Sequence, residues 1–107
     1  MEFRSSCPIA RSLDIIGDRW TLLIMRDALF FKRRTFADFA GSPEHIPTNL
    51  LADRLKKLVR LGLLEKIPYQ ARPLRYEYIP TEAGQRIEPL LRAMHHYGQQ
   101  LDGQHPG

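Results

Sequence analysis

Asn49, Asp53, Lys56 and Arg60 recur at i, i+4, i+7 and i+11 within the stretch TNLLADRLKKLVR. At about 100° per residue they share one side of a helix, with Thr48 at its start and Ala52 and Lys57 at its edges. Leu51, Leu55 and Leu58 fall on the opposite side, flanked by Leu50 and Leu61. The polar side offers hydrogen bonds to flat ring edges and to anions. An asparagine pairs bidentately with adenine, a threonine bonds a base or touches a thymine methyl, and Ala52 leaves room for close approach. Lys56 and Arg60 suit phosphate oxygens, which hold register without reading sequence. Asp53 opposes phosphate unless it takes a cytosine amino group or orients a neighbouring lysine. Arg54 points toward the apolar side and reads as a partner for a buried carboxylate or a helix end. The same pattern also fits an ordinary solvated face with Asp53–Lys56 and Asp53–Lys57 pairs, each worth about a few tenths of a kcal/mol.

A second group of candidates lies outside this helix. Gln70, Arg72 and Arg75 cluster at a predicted hairpin tip, where arginines grip phosphate or enter a minor groove; an exposed turn is the plain alternative. Lys32, Arg33 and Arg34 form a charge run that either touches a nucleic-acid backbone or is a solvated connector. Cys7 precedes Pro8 at a helix start, with Arg4 and Arg11 close in sequence, so the positive end of the helix dipole favours its thiolate. Its alternative is a small capping or half-buried residue. Adjacent His95 and His96 diverge on a helix and cannot face one metal together. With no carboxylate or cysteine at ligand spacing, neither a metal nor a cofactor is expected. No nucleophile–base pair, phosphate-cradling glycine loop or paired acids stands out, so enzyme activity has no positive support.

The elements that must position these residues follow from length and pattern. The chain has 107 residues, the size of one domain, with 43% hydrophobic and 26% charged residues, an ordinary globular balance. One domain over 1–107 is expected, with a core from about 7 to 101 and a frayed tail at 102–107. Sixteen Lys and Arg against twelve Asp and Glu give a net charge of +4, which favours an anionic partner without naming it. A single cysteine excludes an internal disulfide framework. Neither a signal peptide nor a membrane span is expected, since the longest apolar runs are short. A membrane-surface role for the basic helix is also disfavoured, because its leucines are needed for the core. The expected location is therefore cytoplasmic, associated with the nucleoid.

Ile9, Leu13 and Ile16 at helical spacing predict a first helix from Pro8 to about Gly17. Residues 19–31 are apolar on most sides and predict a central or interfacial helix. Thr35 with Asp38 predicts a capped short helix that buries Phe36 and Phe39 and stops at Gly41-Ser42-Pro43. The basic helix begins near Pro47 to Asn49 and runs to Leu61, with Gly62 as its stop. LLEKIPY and LRYEYIP, separated by QARP, predict a two-stranded hairpin with Tyr76 and Tyr78 on one side. Thr81 caps a final helix to about Leu101 that Pro89 should bend. A mainly α chain with a short helix, a turn, a basic helix and a hairpin wing has the layout of a winged helix-turn-helix.

The blocks CPIARSLDIIGDRWTLLIMRDAL, TNLLADRLKKLVRLGLLEK and PYQARPLRYEYIPTEAG, in this order, resemble the HxlR-type transcriptional regulators, a bacterial and archaeal branch of winged-helix proteins. A glycine common there after the second helix is replaced here by Phe31-Lys32-Arg33, and Pro47 stands where a small polar residue often starts the recognition helix. The resemblance implies a homodimer built from the terminal helices that binds pseudo-palindromic double-stranded operator DNA. The last helix, through Leu90, Leu91, Met94 and Tyr97, and the first, through Ile9 and Leu13, are the expected dimer interface. Some members sense oxidants or electrophiles through a cysteine at the position of Cys7, which makes an electrophile an open partner. Two rivals remain at this stage. One is a winged-helix protein-interaction module. The other is a sensor with a small-molecule effector at the dimer interface, for which Trp20 or Tyr97 would be lining.

Overall fold

The computed structural model describes residues 5–101; the N-terminal arginine near Cys7 and the tail at 102–107 lie outside them. Element order is α1 (Pro8–Ile16), α2 (Thr21–Phe30), α3 (Phe36–Ala40), α4 (Thr48–Arg60), β1 (Leu64–Ala71), β2 (Leu74–Pro80), α5 (Glu82–Gln85) and α6 (Glu88–Leu101). This is a winged helix-turn-helix: α3 and α4 flank the turn, and β1 and β2 form an antiparallel wing. As expected, α2 is the centre. It buries Ile24, Met25, Ala28 and Leu29 and packs against α4, α6 and β2. Leu51, Leu55 and Leu58 from α4 close over it, with Phe39 from α3 and Leu64 from β1 completing the core.

Local signals set most boundaries. Pro8 occupies the first turn of α1, where its missing N–H is not required. Thr35 Oγ1 accepts from the Asp38 amide at 3.1 Å while Asp38 Oδ2 accepts from the Thr35 amide at 3.1 Å, a full capping box for a helix of one turn. At the other end of α4, Gly62 takes φ +76° and donates to the Val59 carbonyl at 3.0 Å, and Leu63 donates to Leu58 at 2.9 Å. That pair of bonds is a Schellman stop, and the left-handed backbone it needs is why a glycine follows this helix. Lys32 also takes a positive φ, 55°, after α2. This left-handed backbone is one that glycine adopts freely, and Lys32 meets it at a steric cost.

Three expectations are corrected. Phe36 is 37% exposed and does not join the core; in so short a helix only Phe39 reaches it. The helix predicted from Thr81 to Leu101 is two helices. Thr81 Oγ1 accepts from the Gly84 amide and caps α5, which ends at Gln85 with Arg86 as its C-cap before α6 begins at Glu88. Pro89 therefore stands in the first turn of α6 and does not bend a longer helix, because a proline without an N–H fits a helix start better than its interior. The wing turn is shorter than expected, since β1 continues to Ala71 and only Arg72-Pro73 separate the strands. Its register shifts between Pro68 and Gln70, leaving Tyr69 as an extra residue.

The wing is locked to the helices at its base. Tyr78 meets Phe39 edge to face at 6.4 Å, and the Tyr78 amide donates to the Arg34 carbonyl at 2.7 Å. Gly84 packs so closely under the α4–β1 junction that an added Cβ would lie 2.1 Å from the Leu63 carbonyl oxygen. Backbone has no alternative rotamer to adopt. Gly84→Ala should therefore cost about 1–3 kcal/mol of stability, read as a lower urea midpoint at unchanged slope; an unchanged midpoint would refute this contact.

Candidate nucleic-acid interface

The turn between α3 and α4 is held by charge. Ile46 is buried beneath it, and His45 takes φ 56° to make the corner. Arg26, on α2, donates two hydrogen bonds to Glu44 at 2.8 and 2.7 Å and two more to Asp27 at 3.0 and 2.8 Å. Ser42 Oγ donates to Glu44 at 2.9 Å. The Arg26 guanidinium, opposed by partial burial, holds the Glu44 carboxyl down to about 2. The turn is thus fastened to the central helix.

From this turn α4 emerges with two faces. Leu51, Leu55 and Leu58 are essentially fully buried, while Thr48, Asn49, Ala52, Asp53, Lys56 and Arg60 are exposed along the other side. Pro47 fills the N-cap position and offers no side-chain acceptor to the first turn. The opening amides of α4 therefore stand beside Thr48 and Asn49, at the positive end of the helix dipole. The structure brings together six of the seven helix residues expected to meet an anionic partner.

Lys57 is the exception. It is half-buried and its Nζ lies 3.7 Å from Asp18 Oδ2. Arg54 Nε donates to Asp18 Oδ1 at 3.1 Å. The expected role of Arg54, partner to a helix end, matches this geometry. Asp18 itself accepts from the amides of Trp20 at 2.9 Å and Thr21 at 3.0 Å, and from the Thr21 hydroxyl. It caps the start of α2 and anchors two cations of α4 at once. Burial raises its pKa, but the Thr21 hydroxyl, the Trp20 amide, Arg54 and the Thr21 amide together hold it well below the ordinary aspartate value. Sequence reading saw Gly17-Asp18 only as a break between helices. An aspartate three residues before a helix-starting threonine was the signal that it caps.

The other cations divide in the same way. Arg72 and Arg75 are exposed on the wing, where Gln70 Nε2 donates to the Arg72 carbonyl at 3.2 Å and braces the tip. Lys32 is exposed, but Arg33 and Arg34 are structural. Arg33 donates to the Asp38 carbonyl at 2.8 Å and lies 3.8 Å from buried Asp27, and Arg34 donates to the Ala28 carbonyl at 2.9 Å.

The candidate self-association residues occupy α1 and α6. Ile9 and Leu13 are 74% and 61% exposed, and Leu90, Met94 and Tyr97 also stand in solvent. Leu91 instead turns inward and joins the core at 7% exposure. A groove of about 640 Å³ runs between α2 and α6, lined by Leu22, Leu23, Phe30, Phe31, Met94 and His95 among others. Phe31, 60% exposed, was not singled out by spacing because it falls at the end of a helix apolar on most sides. Trp20 is half-buried against the core under the Arg19 guanidinium, 4.8 Å from its ring. Cys7 is exposed at the N-cap of α1 without a side-chain capping bond. Among the described residues no helix is long and apolar enough to cross a membrane.

An exposed polar stripe on the helix after the turn, with a basic wing following it, defines the class as winged helix-turn-helix. Residues 15–106 match the HxlR-like helix-turn-helix family, and the chain belongs to that family. It is 41% identical over 90 residues to the HTH-type transcriptional regulator MT3179 of Mycobacterium tuberculosis, covering 84% of this chain and 56% of that protein. The chain thus spans little more than half the length of that relative. Among solved structures, PA1607 superposes with a TM-score of 0.82 at 38% identity, covering 92% of this chain and 68% of that one. The redox regulator HypR in its reduced form superposes with a TM-score of 0.76 at 26% identity, covering 89% and 93%.

Asp18→Ala, which removes both the cap and the anchor, should lower stability at neutral pH by about 1–2 kcal/mol. Because the folded carboxyl titrates below its ordinary value of 3.8, its contribution is complete above that pH and is lost as pH falls toward the depressed value. The gap between wild type and variant in urea midpoints should close on acidification below 3.8. A gap independent of pH would contradict the assignment.

Proposed function

We propose that the chain is a sequence-specific DNA-binding transcriptional regulator that acts as a homodimer on pseudo-palindromic operator DNA. The observation that carries this reading is the division of α4, whose leucines are buried while Thr48, Asn49, Ala52, Asp53, Lys56 and Arg60 stand together in solvent. In a helix-turn-helix the first residues of the second helix meet base edges and the later cations meet phosphate. Thr48 and Asn49 are the base readers, with Asn49 matched to an adenine. Lys56 and Arg60 hold the backbone, and Arg72 and Arg75 extend the hold through the wing. Lys57 acts from behind, by fixing α4 against Asp18. The exposed apolar side chains of α1 and α6 and the groove beside them are the surface a second copy covers. Two recognition helices then meet successive major grooves about 34 Å apart. The reading places the protein in the cytoplasm, on DNA.

A second layer concerns control. Cys7 is exposed, its thiol is not engaged in capping, and it sits on the helix that carries the self-association stripe. The similarity to a redox regulator supports the same idea. An oxidant or electrophile that modifies this thiol would act at the edge of the dimer contact and so on the spacing of the recognition helices.

Gel-shift titration against its own upstream DNA and a scrambled duplex, at two salt concentrations, tests the first reading. Specific binding that saturates at two chains per operator and weakens steeply with salt is expected. Asn49→Ala should cost about 1–3 kcal/mol on the operator alone, whereas Lys56→Ala should weaken both duplexes and reduce the salt slope by about one. Equal affinity for the two duplexes would refute specificity, and affinity indifferent to salt would favour a protein-interaction module. For control, Cys7→Ser should abolish operator release by diamide; release that persists in this variant removes Cys7 from the mechanism.

A further inference from the structure

Arg54 sits on the side of α4 turned toward the body of the protein, yet its guanidinium reaches two carboxylates. Nε donates to Asp18 Oδ1 at 3.1 Å, and Nη1 donates to Asp53 Oδ2 at 2.5 Å. Asp18 is itself immobilised, because it accepts the Trp20 and Thr21 amides and the Thr21 hydroxyl at the start of the central helix. A planar, rigid fork thus connects the N-terminus of α2 to one oxygen of Asp53. Asp53 is 65% exposed on the polar stripe, and its second oxygen has no partner among the described residues.

This relay changes what Asp53 can do. A lone aspartate beside Lys56 and Arg60 would samples several rotamers and repel phosphate. Bonded to Arg54, its charge is offset in part by a guanidinium that Asp18 shares, and its remaining oxygen is left as an acceptor only. In the major groove, guanine presents N7 and O6 and thymine presents O4, all acceptors that a carboxylate opposes. Adenine offers an amino group but sets the N7 acceptor beside it. Cytosine offers the N4 amino group with an acceptor on one side only, the O6 of its paired guanine, and a C5–H on the other, so it is the base that best matches one free carboxylate oxygen.

We infer that Asp53 is a specificity-determining residue that selects a cytosine in each operator half-site, with Arg54 as its positioning residue and Asp18 as the anchor. The inference rests on the DNA-binding reading above and names one base which that reading leaves open. Asn49 lies one turn earlier on the same face, so the cytosine and the adenine belong to one half-site.

Selection of the purified chain on a randomised duplex library, followed by gel shifts on the four single-base variants of the selected site, tests it. The wild type should hold one cytosine per half-site, and any other base there should weaken binding on the order of tenfold. Asp53→Ala should flatten that position and leave the others unchanged. Asp53→Asn should move the preference at that position alone to adenine, because a carboxamide matches N6 and N7 together. A side chain that only stabilises the fold would not produce this switch. Arg54→Lys keeps a positive charge but cannot fork between two carboxylates. It should blunt the cytosine preference while circular dichroism shows the chain still folded.

Failure of the wild type to enrich any sequence would overturn the regulator reading and this inference with it. Enrichment of a site that Asp53→Ala and Asp53→Asn both read identically at every position would overturn this inference alone. A uniform rise in affinity for all duplexes in Asp53→Ala, with preferences unchanged, would also overturn it and leave Asp53 as a simple repulsive charge.

Discussion

A carboxylate buried on the central helix sets the terms for the rest of this structure. Asp27 is 2% exposed, and an unpaired charge at that depth would cost several kcal/mol. Arg26 and Arg33 meet it from two directions. Each then reaches onward, Arg26 to Glu44 in the turn and Arg33 to the α3 carbonyl of Asp38. The need to compensate one buried charge thus ties the helix-turn-helix to α2. A turn fastened in this way holds α4 at a fixed angle to the central helix.

The same logic recurs at the other end of α2. Asp18 caps the helix and gathers Arg54 and Lys57 from α4, so both termini of the central helix hold the motif by charge as well as by leucine packing. The net charge of +4 is therefore a poor guide to where an anion would bind. Arg26, Arg33, Arg34, Arg54 and Lys57 are committed inside the protein, whereas Lys56, Arg60, Arg72 and Arg75 stand in solvent. What separates the two sets is the face each occupies and whether a carboxylate or a carbonyl faces it.

The apolar surface on α1 and α6 reflects the economics of a small domain. A chain of 107 residues has limited interior, and α1 contributes no buried residue of its own. Ile9, Leu13, Leu90, Met94 and Tyr97 remain outside while Ile87 and Leu91 fill the space beneath them. On α6 one apolar stripe thus lies in the core and another in solvent.

Much of this was readable from sequence wherever the signal was local. Leucine spacing in α4, the Thr35–Asp38 box, Pro8 at a helix start and the glycine stop at Gly62 all act within one or two turns, and each element they predict is present. The winged layout followed from their order, and the exposed face of α4 followed from periodicity. Folding in three dimensions was needed for every pairing between distant residues. It turned Asp18 from a helix break into an anchor, drew Lys57 off the polar stripe, put Leu91 in the core, left Phe36 outside it and set Pro89 at the start of a separate helix. Periodicity reports which face a residue occupies, because backbone geometry repeats along the chain. It cannot report what stands opposite that face, because the partner of a charge or a leucine is chosen by packing between elements far apart in sequence.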